Sequence, residues 1–384
     1  MKNVLFTTTA LAALAIGGVA SAQGISLFGD ARLGLGYNIN NDGSANGEED
    51  LRAISRVRFG VNMTGETDSG ITFGATIRAD NARGGQGDDT NGMSAGNVFV
   101  SGSWGTLTYG DTNAADEQWV GDIPGNLSLT GLGDLQETFF ISNGGSFGDD
   151  TANNFAANPT ARPTVRYDFD IAGFGISLSS NRDLTDVVVG AGYQADFGGG
   201  SFGIGVGYNN YKSFRQTVGT GLSVCEDGAG GLTTTCNAGD DVFTIAGADS
   251  TQEVPEGEQW SAAVTGDWEN FGLGVVWTQA DSKSNDFVEG AKFGTIGVGG
   301  TFGWDAFTVG AYYVNIYEGS ERLEGYDGKS AYGLTAAYDL GGGAQVAGGV
   351  ARTFGRDELF QGGSLIQTDQ DADTVADFGI KMAF

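Results

Sequence analysis

A chain of 384 residues with 48 acidic against 19 basic residues and no histidine carries a formal charge of −29. That balance excludes an electrostatic nucleic-acid binder, which needs a basic footprint, and the missing histidine removes any Ser-His catalytic arrangement. Glycine supplies 68 residues and proline only 4, and the glycines stand among Val, Ile, Phe, Tyr and Trp in short alternating runs, a strand pattern and not a linker.

The chain opens on an address. Lys2, the small and apolar run from Val4 to Val19, and Ala20-Ser21-Ala22 have the form of a secretory signal peptide with an A-x-A cleavage site. Residues 1–22 are expected to be removed, leaving 23–384 as a single domain. The run is too short, and too broken by Thr7, Thr8 and Thr9, for a membrane anchor. No later stretch is long and apolar enough to cross as a helix.

From Gly24 onward, apolar alternation with turn punctuation predicts sixteen strands. The first eight fall at 25–37, 52–65, 70–80, 94–103, 105–112, 163–171, 174–182 and 187–197. The second eight fall at 201–213, 258–268, 271–282, 291–303, 306–317, 329–340, 344–355 and 373–384. Connections alternate between very short ones, such as Ala172-Gly173 and Glu269-Asn270, and long ones at 38–51, 81–93, 113–162, 214–257 and 356–372. Short turns on one side and long loops on the other belong to a barrel inserted through a membrane. The last strand makes its two faces explicit. Phe378, Ile380, Met382 and Phe384 alternate with Asp377, Gly379, Lys381 and Ala383, an apolar set for lipid and a polar set for the lumen. In lipid every backbone polar group needs an internal partner, so these strands must close. The fold expected is all-β, a sixteen-stranded antiparallel transmembrane β-barrel.

Acids gather between the strands, as at Glu48-Glu49-Asp50, Asp149-Asp150 and Asp369 to Asp373. One reading is solvated loops; the other is Ca²⁺ shared with anionic lipid headgroups. Cys225 and Cys236 share one long polar segment, and in an exported chain a nearby pair reads as a disulfide stabilising its loop by about 2–3 kcal/mol. Gly203-Ile204-Gly205-Val206-Gly207 lacks nucleotide-loop spacing and reads as small lumen-facing residues.

A barrel of this size leaves a lumen too wide for side chains to fill. Segment 113–162 is the expected constriction, because it mixes apolar anchors (Trp119, Ile123, Leu127, Leu129, Leu132, Leu135, Phe139, Phe140) with the acids Asp116, Glu117, Asp122, Asp134 and Glu137. The competing reading is an external loop packed on its own side chains. Alternation aims Arg52, Arg56, Arg58, Arg78 and Arg166 into the lumen, opposite those acids. Arginines on one wall and carboxylates on the loop would set up a transverse field that sorts solutes by charge and size.

From the opening Ile25-Ser26-Leu27-Phe28-Gly29 through Gly105-Thr106-Leu107-Thr108-Tyr109-Gly110 to terminal Phe384, the chain resembles the sixteen-stranded general porins, particularly those of alphaproteobacteria. The resemblance implies a third loop folded into the lumen, arginines facing its acids, and a homotrimer in the outer membrane of a Gram-negative bacterium. It also implies contact with lipid and lipopolysaccharide, and passive diffusion of small hydrophilic solutes and ions. Phe384 would be the assembly signal of outer-membrane barrels. The family's Pro-Glu-Phe-Gly-Gly-Asp loop motif is absent; Asp122-Ile123-Pro124-Gly125 stands in its place, so the acids lining the eyelet stay open. A substrate-selective porin and a structural or adhesive barrel are the alternatives. External acids would draw cations to the mouth, so mild cation selectivity is expected, with no cofactor beyond Ca²⁺ at the acidic loops.

Overall fold

The computed structural model describes residues 24–38, 51–81, 93–110, 112–132, 135–136, 138, 140, 164–181, 184–212, 214–218, 221–226, 232–233, 242–246, 250–254, 256–283, 292–319, 330–353 and 372–384. The first nine strands are β1 (Gly24–Tyr37), β2 (Leu51–Glu66), β3 (Thr72–Asn81), β4 (Met93–Gly102), β5 (Gly105–Gly110), β6 (Thr164–Ile171), β7 (Phe174–Ser180), β8 (Val187–Phe197) and β9 (Gly200–Tyr211). A single short helix, α1 (Ala115–Val120), lies between β5 and β6 among the described residues. Five short strands follow β9: β10 (Phe214–Val218), β11 (Gly221–Glu226), β12 (Leu232–Thr233), β13 (Val242–Ala246) and β14 (Ser250–Val254). The chain then completes β15 (Gly257–Trp268), β16 (Phe271–Ser282), β17 (Lys292–Trp304), β18 (Phe307–Gly319), β19 (Ser330–Gly341), β20 (Ala344–Arg352) and β21 (Thr374–Ala383).

Sixteen of these strands form one closed barrel, β1 through β9 followed by β15 through β21, each antiparallel to its neighbours. The ring shuts where β1 meets β21, with Asp30 opposite Ala383 and Tyr37 opposite Ala376. The Phe384 N–H adds a last bond to the Gly29 carbonyl at 2.9 Å. Every predicted strand is present, and no bound moves by more than three residues. The connection 214–257, read from sequence as a plain loop, instead carries a two-stranded sheet of β10 and β14 and a three-stranded sheet of β11, β12 and β13. Strands of two to six residues are too short to show a clear period. Cys225 falls in β11, while Cys236, its predicted partner, lies outside the described residues, as do residues 1–22.

The turns between hairpins are tight, and their chemistry is visible in the backbone. Ala172 and Gly173 take φ of 53° and 82°, the left-handed pair that a two-residue hairpin turn demands. The barrel's two faces separate as the alternation predicts. Leu33, Leu35, Val57, Phe59, Leu334 and Phe378 are exposed on the outer face, ready for lipid. Aromatic residues cluster at the turn-bearing end of that face: Trp104 on Tyr167, Trp268 on Phe271, Trp304 on Phe307, and Phe307 on Tyr338, with centroids 4.4–6.4 Å apart. Amphipathic rings suit the membrane boundary. Where Tyr and Trp accept or donate there, the bonds are local, as in Tyr167 Oη donating to the Trp104 carbonyl.

Candidate functional site

Cations collect on one sector of the inner wall. The register sets Arg32 of β1 directly between Arg56 of β2 and Lys381 of β21, a row of three positive residues across three strands. Like charges directly opposite one another are destabilising in a sheet, so the row needs compensation. Asp30, one inward position along β1, accepts from Arg56 Nη2 at 3.3 Å, and Arg32 Nη1 donates to the Leu129 carbonyl at 3.2 Å. Arg52 and Arg58 occupy the same face of β2, and Arg78 of β3 stands opposite Gly60 of β2. Arg52, Arg56, Arg58 and Arg78 thus share one wall. Arg32, Asp30 and Lys381 belong to it as well.

Arg166 stands apart from that wall. Its Nε donates to Asp168 Oδ2 at 2.9 Å, and its Nη1 to the Asn113 carbonyl at 2.7 Å. Those contacts make it a clamp at the root of the segment after β5.

That segment is fastened to inward-facing residues of strand after strand. The Ala115 N–H donates to Ser179 Oγ of β7 at 2.9 Å, and Trp119 Nε1 donates to Ser177 Oγ, also at 2.9 Å. Ser177 Oγ in turn donates to Asp168 Oδ1 at 2.5 Å. Further along, Thr335 Oγ1 of β19 donates to the Gly125 carbonyl and accepts from the Leu127 N–H. Asp377 of β21 then accepts from the Leu129 N–H, the Thr130 N–H and Thr130 Oγ1 at 3.1, 2.7 and 2.7 Å. Apolar packing follows the same track. Val120, Ile123, Leu132, Leu135 and Phe140 form one buried cluster with Ala263, Val276, Tyr312, Val314, Ala331, Ala351 and Val375 of the wall. The wall makes room with glycine: a Cβ on Gly190 would lie 1.7 Å from the Ala115 carbonyl oxygen, and one on Gly205 1.8 Å from that of Trp119.

This packing divides the predicted acids. Asp122 is exposed and accepts the Thr138 N–H at 2.9 Å. Asp116 and Glu117 do not line open space as the sequence reading expected; both are buried. The reason is the seating of α1, whose first turn lies against the wall, with Asp116 Cβ over Gly207. Asp134 and Glu137 lie outside the described residues.

A closed ring of sixteen strands, apolar outside and charged within, is the architecture of a membrane channel, and comparison with known proteins says which. The profile of the family described as Gram-negative porin matches residues 7–358. The chain belongs to the Gram-negative porin family. A porin from Rhodobacter capsulatus is 26% identical over 373 residues, covering 94% of this chain and 100% of the relative. Among solved structures, a refined porin superposes with a TM-score of 0.57 at 22% identity, over 94% of this chain and all of that one. An engineered variant of Rh. blastica porin gives 0.56 at 20% identity with the same coverage. At that identity the structures speak for the fold, and the family match speaks for the activity. This porin is an integral outer-membrane protein forming a channel.

Proposed function

We propose that this porin is a general diffusion pore whose lumen is narrowed by segment 112–140, with the cationic row Lys381–Arg32–Arg56 on one side and Asp122 on the other. The observation that carries the reading is the continuous seating of that segment on inward-facing residues from β7 round to β21 and β1, by bonds to Ser179, Ser177, Thr335 and Asp377 and from Arg32. A segment held this way occupies space that a barrel of sixteen strands otherwise leaves to water. Opposed charges across the remaining opening orient dipolar solutes and weigh ions by sign. Arg52, Arg58 and Arg78 extend the cationic wall, and Arg166 acts on the loop's root.

The same reading makes the chain a channel and not an enzyme, exported through cleavage after residue 22, trimeric, and in contact with lipopolysaccharide. Phe384 serves as its assembly signal. Calcium at the external acidic loops belongs to the reading through their clustered carboxylates. Single-channel recording of the purified mature protein in a planar bilayer tests the core of it. Steps that come in threes, with weak ion preference in a salt gradient, are expected. A correctly folded barrel that passes no current sinks the open-pore reading.

A further inference from the structure

Asp168 of β6 is buried, and both oxygens of its carboxylate are engaged. Arg166 Nε donates to Oδ2 at 2.9 Å, and Ser177 Oγ donates to Oδ1 at 2.5 Å. The register brings these groups together, with Asp168 opposite Ser177 and Arg166 opposite Ser179 in two adjacent inward rows. A hydroxyl has one hydrogen, and an ionised carboxylate only accepts. With that hydrogen given to Asp168, Ser177 Oγ turns lone pairs toward its other neighbour. That neighbour is Trp119 Nε1, which can only donate and does so at 2.9 Å. Charge therefore sets the sense of the whole chain, from indole to hydroxyl to carboxylate, and the guanidinium closes it. Arg166 Nη1 also donates to the Asn113 carbonyl at 2.7 Å. One carboxylate thus governs contacts on both sides of α1, at Asn113 just ahead of it and at Trp119 in its last turn.

The indole has a seat cut for it in the wall. A Cβ on Gly175 would lie 1.9 Å from Trp119 Cη2, one on Gly192 2.2 Å from Cε3, and one on Gly190 2.7 Å from Cδ1. Trp119 is half-buried there, one face on the wall. Apolar contact is non-directional and leaves open which edge of the ring points where. The bond to Ser177 supplies the orientation. A ring already against backbone cannot go deeper, so any other staggered rotamer carries it off the wall.

We propose that Asp168 is a positioning residue for the inner segment. Through Ser177 it fixes the Trp119 indole on the glycine floor of β7 and β8, and through Arg166 it fixes the Asn113 carbonyl at the other end of the helix. Asp168 acts on the passage only through these neighbours. Where the segment stands in the lumen, as proposed above, an indole released from its seat swings into the passage and obstructs it. That consequence rests on the proposed placement; the relay itself does not.

The test uses the mature protein, labelled with ¹⁵N-tryptophan and purified in detergent. The indole N–H resonance of Trp119, one of six tryptophans, is assigned by its loss in Trp119→Phe. It should exchange slowly with solvent in the native protein. Asp168→Ala and Ser177→Ala, each checked as a heat-modifiable barrel, should shift it and speed its exchange, while Asp377→Ala, at the far end of the segment, should leave it in place. Ser177→Ala keeps the Arg166–Asp168 pair, so it tests the relay even if Asp168→Ala does not assemble. In a planar bilayer, Ser177→Ala should add brief partial blockades to the open-channel current, and Trp119→Ala in the same protein should remove them, which general loosening of the segment would not allow. An indole resonance unmoved by Ser177→Ala overturns the proposal, and so do blockades that persist once the ring is gone. A displaced resonance with a native, quiet current upholds the relay and counts against the placement of the segment in the lumen.

Discussion

Charge placement on single residues should set ion preference. Arg32 sits opposite both Arg56 and Lys381, so the three cations act on the same stretch of lumen. A unit charge about 4 Å from an ion is worth about 1 kcal/mol even in bulk water, and each such step is about a fivefold change in partition. Arg32→Ala with Arg56→Ala should therefore move the reversal potential in a salt gradient toward cations, by severalfold in permeability ratio, and raised ionic strength should blunt the effect. An unchanged reversal potential would remove these residues from the constriction. Asp377 makes a different kind of prediction. It holds three donors of the Leu129-Thr130 turn, and bonds to a charged acceptor contribute about 1.5–3 kcal/mol each. Asp377→Ala should loosen the turn and add noise to the open-channel current, whereas Asp377→Asn, which keeps one acceptor oxygen, should fall between.

At the scale of elements, the inner segment depends on glycines that the wall strands leave bare. Because a methyl on Gly205 would overlap the Trp119 carbonyl oxygen, Gly205→Ala should displace α1 without opening the barrel ladder. The expected readout is a changed conductance with an unchanged heat-modifiable band; unchanged conductance would show that the helix is not fixed there. The strands themselves were legible beforehand, since a period of two survives every tertiary context that buries one face. Lumenal Arg56 or Lys381 could be placed from the alternation beside Val57 or Phe378. The row they form with Arg32 could not, because it exists only once β1 pairs with β21. Nor could the burial of Asp116 and Glu117, which follows from how six residues of helix seat on β8 and β9. Sequence proximity to Asp122 made all three look alike.

The mouth offers an element-scale test in pH. Glu256, just ahead of β15, accepts from Lys283 Nζ at 2.9 Å and pairs with Lys212 Nζ at 3.5 Å, tying together the ends of β9, β15 and β16. The Lys283 hydrogen bond and charge, with Lys212 adding to them, hold the Glu256 carboxyl below its ordinary value. A depressed carboxyl contributes stability that is present above its unfolded pKa and is lost as pH falls through the lowered one. With the intrinsic slowing of exchange in acid divided out, the protection of amides at the ends of these strands should fall on acidification through that range, and Glu256→Gln should remove that pH dependence. A variant that keeps the native acid response would place its origin elsewhere.

For the whole molecule, the barrel and its inner segment are separable structures joined covalently at two points. Gly110 of β5 pairs directly with Thr164 of β6, so the ring closes whatever lies between them. Replacing 111–163 by a two-residue Asn-Gly turn should therefore leave an intact antiparallel ring, since such turns match the natural twist of a hairpin. The removal has a cost. Val276, Tyr312, Val314, Ala331, Ala351 and Val375, now buried under the segment, would face water, at about 25 cal/mol per Å² of apolar surface uncovered. The shortened protein should fold into a heat-modifiable barrel with a lower unfolding temperature and a larger single-channel conductance. Loss of the folded band would mean that the segment is needed for assembly as well as for size selection. A folded barrel of native conductance would mean that something other than this segment narrows the lumen, and the cationic wall would then have to act on a wider opening, where screening by salt leaves it far less able to sort ions.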